Sequence, residues 1–134
     1  MPYARPPLLV RRIFNSIAMR FEISGTRTLA VRGRRSAVVH RVALIPVEVD
    51  GARYLVSPRG ETDWVHNLRA AGEGELRGRK EGAYRCRATE LPVAERAPII
   101  AAYRKVGGRA VRSFFEAMPD PADHPVFRLD DRAA

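Results

Sequence analysis

The chain has 134 residues, 46% of them hydrophobic, which is typical of one folded domain and excludes a largely disordered chain. It carries 24 Lys and Arg against 15 Asp and Glu, and residues 1–41 hold nine arginines with one acid, so an anionic partner is expected to bind the first third of the chain. The single cysteine, Cys86, excludes an internal disulfide and a multi-thiolate metal site, which fits a cytoplasmic protein, and no apolar run reaches the about 18 residues of a membrane-spanning helix.

Residues 8–21 have the periodicity of an amphipathic helix, which we predict within an N-terminal segment, 1–24. Six apolar residues share one half of the helical wheel: Val10, Ile13, Phe14, Ile17, Ala18 and Phe21. The other half carries Arg11, Arg12 and Arg20. Such a helix packs on its own domain or lies on a membrane or partner surface, and the sequence leaves both interpretations open.

After Gly25 the pattern changes to short apolar runs separated by turn residues, which is typical of antiparallel strands. A basic turn, Gly33-Arg34-Arg35-Ser36, joins a predicted strand at 28–31 to a β-branched run at 38–49. Asp50-Gly51 is the strongest hairpin signal in the chain. The remaining strands are predicted at 54–56, 75–79, 83–90 and 126–129.

Helices are predicted at 64–71, from Pro92 to about 105, and at 111–118. Thr62 or Asp63 can cap the first of them, and Gly72 is its stop signal. The prediction is therefore about six strands and four helices in a single domain, 1–134. This is an α+β, mainly β composition, and its antiparallel hairpins favour a small barrel or sheet.

The basic turn is a candidate anion site. Arg34 and Arg35 supply two guanidinium groups, and Ser36 supplies a hydroxyl, all on a turn whose backbone amides can also donate. The alternative is a solvated hairpin turn without a ligand. His40 and Arg41 follow on the next strand, where alternation sends them to opposite faces, so at most one of them readily joins the turn.

A second candidate site follows the strand at 54–56. Arg59 and Gly60 are separated from Trp64 by only three residues, which places a cation, a glycine and an indole at one rim that can hold a planar ring. Asn67 follows three residues later on a neighbouring helical face, where its amide can hydrogen-bond a ligand or a loop. The alternative is that Trp64 is a core residue under the helix.

Several function classes find no support in the sequence. His40, His66 and His124 are scattered, and no His, Asp or Glu cluster has metal-ligand spacing, so we expect no metal. The chain has no nucleophile elbow, Walker loop or dinucleotide-binding glycine motif. Its basic third lacks the interleaved aromatic residues of a nucleic-acid-binding face, so we expect no nucleic-acid partner.

The ordered combination of these residues resembles the deazaflavin-dependent nitroreductase and quinone reductase family. The matching positions, within about residues 8–106, are Gly33-Arg34-Arg35-Ser36, Asp50-Gly51, Tyr54-Leu55-Val56, Arg59-Gly60, Trp64 and Asn67-Leu68-Arg69-Ala70. Members resemble split β-barrel flavin-binding proteins and use reduced coenzyme F420 to reduce quinones, enones or nitro compounds. The resemblance implies a small antiparallel split β-barrel of about six strands, with an N-terminal helix and two or three flanking helices.

The resemblance also implies which residues hold the cofactor. In the family the basic turn binds the phosphate and acidic tail, while a basic-Gly pair and a Trp-x-x-Asn motif lie beside the ring. With the nearby His40, Arg41 and Ser57, the implied residues are Arg34, Arg35, Ser36, Arg59, Gly60, Trp64 and Asn67. The family's substrate-side tyrosines have no clear counterpart, since this chain offers Phe114 and Phe115, so the acceptor does not carry over.

The resulting hypothesis is an oxidoreductase that uses F420 for hydride transfer to a small electrophilic acceptor. No catalytic residue is assigned, and Ser57, Tyr84, Tyr103 or solvent can deliver the proton. FMN is an alternative cofactor, because its phosphate can use the same arginines. The rival hypothesis is a non-catalytic flavin-binding or deazaflavin-binding protein, or a basic peripheral membrane module that uses residues 8–21. We expect a monomer or homodimer in the cytoplasm, with membrane association left open.

Overall fold

The computed structural model describes residues 25–78 and 82–131, and the helix predicted within 1–24 lies outside this part of the chain. Its strands are β1 Arg27–Arg32, β2 Val39–Leu44, β3 Val47–Val49, β4 Ala52–Val56, β5 Glu73–Gly78, β6 Gly82–Glu90 and β7 Val126–Asp131. All neighbouring pairs are antiparallel, in the order β2-β1-β5-β6-β7-β4-β3. This sheet curls into a half-barrel, so the predicted mainly β, antiparallel fold is confirmed.

The described helices are α1 Asp63–Ala71, α2 Ala97–Gly107 and α3 Arg109–Ala117, with single 3-10 turns at Val93–Glu95 and Pro121–Asp123. The predicted helix from Pro92 is therefore interrupted: Arg96 is the N-cap of α2, and Pro98, which has no N–H to donate, lies in its first turn. No helix in the described ranges is long and apolar enough to span a membrane.

The sheet has one strand more than the about six predicted, because the run at 38–49 forms two strands. Ile45 and Pro46 interrupt it between β2 and β3, since Pro46 cannot donate to a ladder. The interruption carries the chain from one edge of the sheet, β2, to the other edge, β3. This crossing closes the strands around a common core.

The predicted Asp50-Gly51 hairpin is confirmed. Both residues have positive φ, 51° for Asp50 and 83° for Gly51, as a type I′ turn requires. Val49 faces Ala52 directly across the hairpin, and Val47 faces Tyr54. The turn therefore fixes the register of β3 on β4.

Two apolar clusters hold the fold together. One lies beneath α1 and joins Leu29, Leu68, Leu76 and Phe127, all at most 1% exposed. The other joins α2 and α3 to β3 and β4 through Val47, Val56, Ile99, Ile100, Tyr103 and Phe115. Because α1 is seated over β1, the loops before and after it have a fixed position relative to the β1–β2 turn.

Candidate functional site

The basic turn packs against α1, although the two contacting residues are 33 positions apart in the sequence. The side-chain oxygen of Asn67 accepts two hydrogen bonds from Arg34, one from its backbone N–H at 3.0 Å and one from its guanidinium at 2.8 Å. Asn67 is only 4% exposed, so these bonds fix where the turn lies. The structure thus brings together a residue predicted for the cofactor tail and one predicted for the ring.

The two arginines of the turn have different surroundings. The Nη2 atom of Arg34 lies 3.6 Å from Asp63 Oδ1, and the Arg34 side chain is 28% exposed. Arg35 is exposed. The whole stretch 26–47 contains five arginines and no acid, so the potential around the turn is positive despite Asp63.

His40, more than Arg41, lies beside the turn. A Cβ added at Gly33 would stand 2.9 Å from His40 Nε2, so the imidazole lies directly against the glycine of the turn. Arg41 is the next residue of β2 and therefore points to the opposite face. The Ser36 hydroxyl accepts a hydrogen bond from the Val38 N–H at 3.3 Å, which stabilises the turn itself.

The loop between β4 and α1 is shaped by a buried serine. The Ser57 hydroxyl donates to the Gly60 carbonyl at 2.6 Å, and the Thr62 N–H donates to the same carbonyl at 2.9 Å. Gly60 is buried and has a φ of +87°, a conformation that favours glycine. These two bonds fix the loop that carries Arg59. The first of them uses the hydroxyl proton of Ser57.

Thr62 is a candidate site residue to which the sequence assigned only a capping role. It is the N-cap of α1, but its side chain makes no capping hydrogen bond. It is 3% exposed, and its Oγ1 has no hydrogen-bond partner among the described residues. An unpaired buried hydroxyl costs free energy, so a polar ligand atom placed here would be stabilised.

Trp64 contributes to the core. It is 7% exposed, and its ring centroid lies 6.1 Å from that of Phe127. This is the structural alternative that the sequence left open for the tryptophan. Only the small exposed part of the indole is available to a ligand.

The candidates for proton delivery are not equivalent. Burial raises the pKa of Tyr103, and the positive charge of Arg59 opposes that shift, which places Arg59 near this phenol. Tyr84 lies elsewhere, with the guanidinium carbon of Arg53 5.5 Å from its ring centroid. The Ser57 hydroxyl is completely buried and already donates to Gly60. Tyr103 therefore lies near Arg59 of the loop, whereas the Ser57 proton is already engaged by Gly60.

A cavity of about 490 Å³ is lined by Tyr84 and by residues of the β3–β4 hairpin and β7, and its lining includes no residue of the basic turn or of the loop at 57–60. Its arginines already face acids: Arg53 is 3.3 Å from Glu48, and Arg128 is 3.3 Å from Asp130. It therefore offers less uncompensated positive charge than the basic turn. Across the described ranges, no group of three His, Cys, Asp or Glu residues could hold a metal ion.

An ion-pair network secures the loop that precedes α1. Arg69 donates to Glu61 at 2.9 Å and to Glu90 at 2.7 Å, which links the loop to the end of β6. The hydrogen bond from Arg69 holds the pKa of the Glu61 carboxyl below its usual range, although partial burial acts in the other direction.

At neutral pH, Arg69→Gln is expected to lower the free energy of unfolding by about 1 kcal/mol. Because the pKa of Glu61 is lowered by folding, its ionised form contributes stability above the unfolded pKa of about 4.3, and this contribution is lost as the pH falls through the folded value. The difference in the free energy of unfolding between the wild type and Arg69→Gln should therefore shrink at acidic pH. Urea unfolding at neutral and acidic pH, followed by Trp64 fluorescence, measures it.

A suitable control is Arg77→Gln, because Arg77 is 63% exposed and lies 3.8 Å from Glu75. This substitution is expected to change the free energy of unfolding by at most about 0.5 kcal/mol. An effect of Arg69→Gln that is the same at every pH would contradict the role given to Glu61.

Comparison with solved structures shows the same fold. An F420-H2 dependent reductase, FDR-A, is 20% identical, with a TM-score of 0.59 over 80% of this chain and 95% of that chain. A protein described as a domain-swapped dimer is 18% identical, with a TM-score of 0.61 over 91% and 94%. HutZ, a heme storage protein from Vibrio cholerae, is 12% identical, with a TM-score of 0.55 over 89% of each chain. At these identities the likeness is one of fold, and the predicted split β-barrel is confirmed.

The sequence comparison is more specific. No curated protein matches the chain. The family model described as F420H(2)-dependent quinone reductase matches residues 8–114, which include the basic turn, the loop at 57–60 and all of α1. The match spans well over half of the 134 residues and confirms the predicted family. The chain therefore belongs to the F420H(2)-dependent quinone reductase family and is an oxidoreductase.

Proposed function

We propose that this protein binds reduced coenzyme F420 between the basic turn and the β4–α1 loop, and uses it to reduce a small electrophilic acceptor. The observation that supports this most directly is the pair of hydrogen bonds between Arg34 and Asn67. They hold a positive turn against the N-terminal half of α1, so an anionic tail and a planar ring can be bound side by side. The bound deazaflavin would supply the hydride.

Where the cofactor's anionic tail would bind, the chain provides positive charge. Arg35 is exposed and Arg34 is partly exposed, so both can form charge-assisted hydrogen bonds with a phosphate or carboxylate. His40 lies beside the glycine of the same turn, and Arg41, on the opposite face of β2, contributes only to the general field. Ser36 supports the turn through Val38 and offers its hydroxyl proton to an anion.

Where the cofactor's ring would bind, the chain offers a stretch of backbone that a planar group can approach closely and one polar contact. Gly60 has no side chain, so a planar group can approach the backbone of the loop. The unpaired Thr62 hydroxyl is suited to a polar edge of such a ring, as the carbonyl and N–H groups of a deazaflavin provide. Arg59 adds a cation near Tyr103, and the core position of Trp64 makes that residue a support for the loop.

Replacing Thr62 by valine is expected to raise the F420 dissociation constant by about 2- to 12-fold, the effect of one neutral hydrogen bond. Folding should be as stable as in the wild type or slightly more so, because the substitution removes an unpaired buried hydroxyl and no capping bond. Equilibrium titration and urea unfolding measure the two quantities. Thr62→Ser keeps the hydroxyl and serves as the control. Unchanged affinity of the valine variant would exclude Thr62 from the site.

The acceptor is proposed to be a quinone, an enone or a nitro compound, and the family description favours the quinone. We further propose a cytoplasmic protein that is a monomer or homodimer; the domain-swapped neighbour supports the dimer. The proposed membrane contact through residues 8–21 falls outside the described residues. The phosphate of FMN could use the same arginines, so FMN enters the test as a competitor.

The deciding experiment is a titration of the purified protein with reduced F420, oxidised F420 and FMN. Trp64 is the only tryptophan and lies next to the proposed site, so its fluorescence reports binding at one place. Menadione, a nitro compound and an enone are then offered under anaerobic conditions, and loss of reduced F420 is followed by absorbance. We expect F420 binding and turnover of menadione. Binding without turnover of any acceptor would favour the non-catalytic binder, and preference for FMN would overturn the cofactor assignment.

A further inference from the structure

The junction of α2 and α3 carries positive charge that no acid offsets. Arg104, Lys105 and Arg109 lie there, all of them exposed, and none forms an ion pair with a described residue. Elsewhere many arginines face an acid, and a carboxylate oxygen lies within 3.8 Å of Arg34, Arg53, Arg69, Arg77, Arg85, Arg96 and Arg128. The proposed cofactor tail accounts for the charge of the basic turn, but it leaves the charge at this junction without a partner.

The sequence around the junction contains no negative charge. Residues 97–115 include no Asp or Glu, and the nearest acids along the chain are Glu95 and Glu116. The Arg104 guanidinium carbon lies 5.2 Å from the ring centroid of Phe115, so this cation is placed on an aromatic ring and not beside a carboxylate. The potential at the junction is therefore positive.

An exposed apolar side chain lies among these cations. Val106 continues the helical stripe of Ile99 and Tyr103, because residues three, four and seven positions apart share one face of a helix. Those two residues are each 5% exposed, whereas Val106 is 51% exposed. Packing against the sheet therefore ends before Val106, and the last turn of α2 presents an apolar side chain to solvent. We call Arg104, Lys105, Val106 and Arg109 the corner patch.

This combination fits the surface of an anionic bilayer. Lys and Arg near such a surface are attracted to acidic headgroups, while an aliphatic side chain between them enters the boundary with the acyl chains. A nucleic-acid site would be expected to offer exposed aromatic rings for stacking. The aromatic residues beside the corner patch, Tyr103 and Phe115, are instead buried in the core.

The corner patch is also close to the candidate site. Tyr103 directly precedes Arg104, and its phenol lies near Arg59 of the β4–α1 loop. A helix with its side chains is about 10–12 Å wide, so a bilayer in contact with the end of α2 would lie roughly one helix width from this loop. An acceptor dissolved in the bilayer would then be near the proposed ring site.

We propose that the corner patch docks the protein on an anionic phospholipid bilayer. The docking itself does not depend on the cofactor, whereas its benefit for the reduction of a bilayer-embedded acceptor rests on the proposed function. The corner patch is distinct from the helix predicted at 8–21, and the experiments below separate the two segments.

The first test is cosedimentation of the full chain with vesicles. The protein is expected to bind vesicles of phosphatidylcholine and phosphatidylglycerol, to bind pure phosphatidylcholine more weakly, and to dissociate with added salt. Replacing both Lys105 and Arg109 by glutamine should lower the partition coefficient about 25-fold, since each cation contributes about fivefold. The matched control replaces Arg77 and Arg85 by glutamine, which removes the same charge from exposed positions of β5 and β6.

The control should change the partition coefficient by less than about twofold, because its charges lie outside the patch. Equal losses in the two double variants would mean that only net charge matters and would overturn the proposal. Vesicle binding that persists in the Lys105 and Arg109 variant would do the same, since another segment, such as 8–21, would then carry it.

The apolar contact is tested with Val106→Asp. This variant should weaken vesicle binding at least about fivefold, because an acid would replace the side chain that enters the bilayer. Val93→Asp is the control, since Val93 is 47% exposed and lies before the other end of α2. It should change binding by less than about twofold. Urea unfolding confirms that both variants are folded. Equal effects of the two substitutions would contradict insertion of Val106.

The orientation is tested with a nitroxide attached at Val106→Cys, and at Ala83→Cys as the control. Cys86 is 1% exposed, so labelling is directed to the introduced cysteine. Vesicles should shield the label at position 106 from a water-soluble relaxation agent and leave the label at position 83, on an exposed part of β6, accessible. A label at position 106 that stays accessible on the vesicles would overturn the proposal.

Two further measurements separate the remaining interpretations. Binding to heparin without binding to the vesicles would assign the corner patch to another polyanion and overturn the bilayer. The ratio of turnover with a long-chain quinone in vesicles to turnover with dissolved menadione should fall in the Lys105 and Arg109 variant. A wild-type protein that reduces neither quinone would overturn the proposed function but leave the vesicle binding standing.

Discussion

Replacing Arg34 by alanine is expected to raise the dissociation constant of reduced F420 by about 10- to 150-fold, because a charge-assisted hydrogen bond to a phosphate or carboxylate contributes on the order of 1.5 to 3 kcal/mol. The rate of turnover at saturating cofactor should stay near that of the wild type, since the turn contacts the tail and not the reacting ring. The loss of the guanidinium bond to Asn67 should also lower the free energy of unfolding, by about 1 kcal/mol. Binding is therefore measured well below the melting temperature.

The matched control is Arg112→Ala, which removes the same charge from an exposed position of α3. Its effect on the dissociation constant should be less than about twofold, because Arg112 is not part of the proposed site. At 0.1 M ionic strength, salt limits the reach of an exposed charge to about 10 Å. Affinity for the wild type should also fall with added salt, and less steeply for the Arg34 variant. Equal affinities for Arg34→Ala and the wild type would mean that the turn is a solvated hairpin and that the tail binds elsewhere.

The fold was largely predictable because its main signals are local. Asp50-Gly51 adopts the positive φ values that its sequence predicts, and Gly72 ends α1 with a φ of 73°. The extra strand was missed for a non-local reason. The run at 38–49 has a continuous β-branched composition, and only the position of Pro46 between two sheet edges makes it two strands.

The candidate site was predictable in its residue types and less so in its contacts. Arg34 and Asn67 were both predicted to lie there, but their hydrogen bonds depend on how β1 seats beneath α1, which no short motif encodes. Thr62 or Asp63 was predicted to cap α1, and Thr62 is its N-cap, but its buried hydroxyl makes no capping bond and has no partner among the described residues. Ser57 was predicted as a cofactor contact or proton donor, and its hydroxyl bonds Gly60.

His124 illustrates a case without any local signal. It is a lone histidine in a proline-containing segment, and a lone histidine is compatible with an exposed, a core or a ligand-binding position. Its two ring nitrogens lie at the backbone carbonyl oxygens of Ser57 and Met118, which are 67 and six residues away in the sequence. They meet only because β7 pairs with β4 and α3 ends above the same loop.

Asn67→Ala is expected to lower the free energy of unfolding by about 2 kcal/mol, because it removes the acceptor of both Arg34 hydrogen bonds from a nearly buried position. The turn should then detach from α1, so the F420 dissociation constant should rise by at least about 10-fold even though both arginines remain. Urea unfolding and Trp64 fluorescence titration measure the two effects. A large loss of affinity with both arginines present would show that the position of the turn, and not its charge alone, determines binding.

The Asn67→Asp variant separates the effect of the turn's position from the effect of its charge. Aspartate keeps an acceptor oxygen at the same place and adds a negative charge beside Arg34. The turn should remain docked, because the aspartate oxygen still accepts both Arg34 hydrogen bonds, and the loss of stability should be smaller than in Asn67→Ala. Affinity for the anionic cofactor should nevertheless fall, since Asp63 and the new carboxylate would together offset the charge of Arg34. If Asn67→Ala and the wild type have equal stability, the hydrogen bonds to Arg34 do not hold the turn. If Asn67→Asp binds F420 as tightly as the wild type, the binding of the tail does not depend on the charge of Arg34.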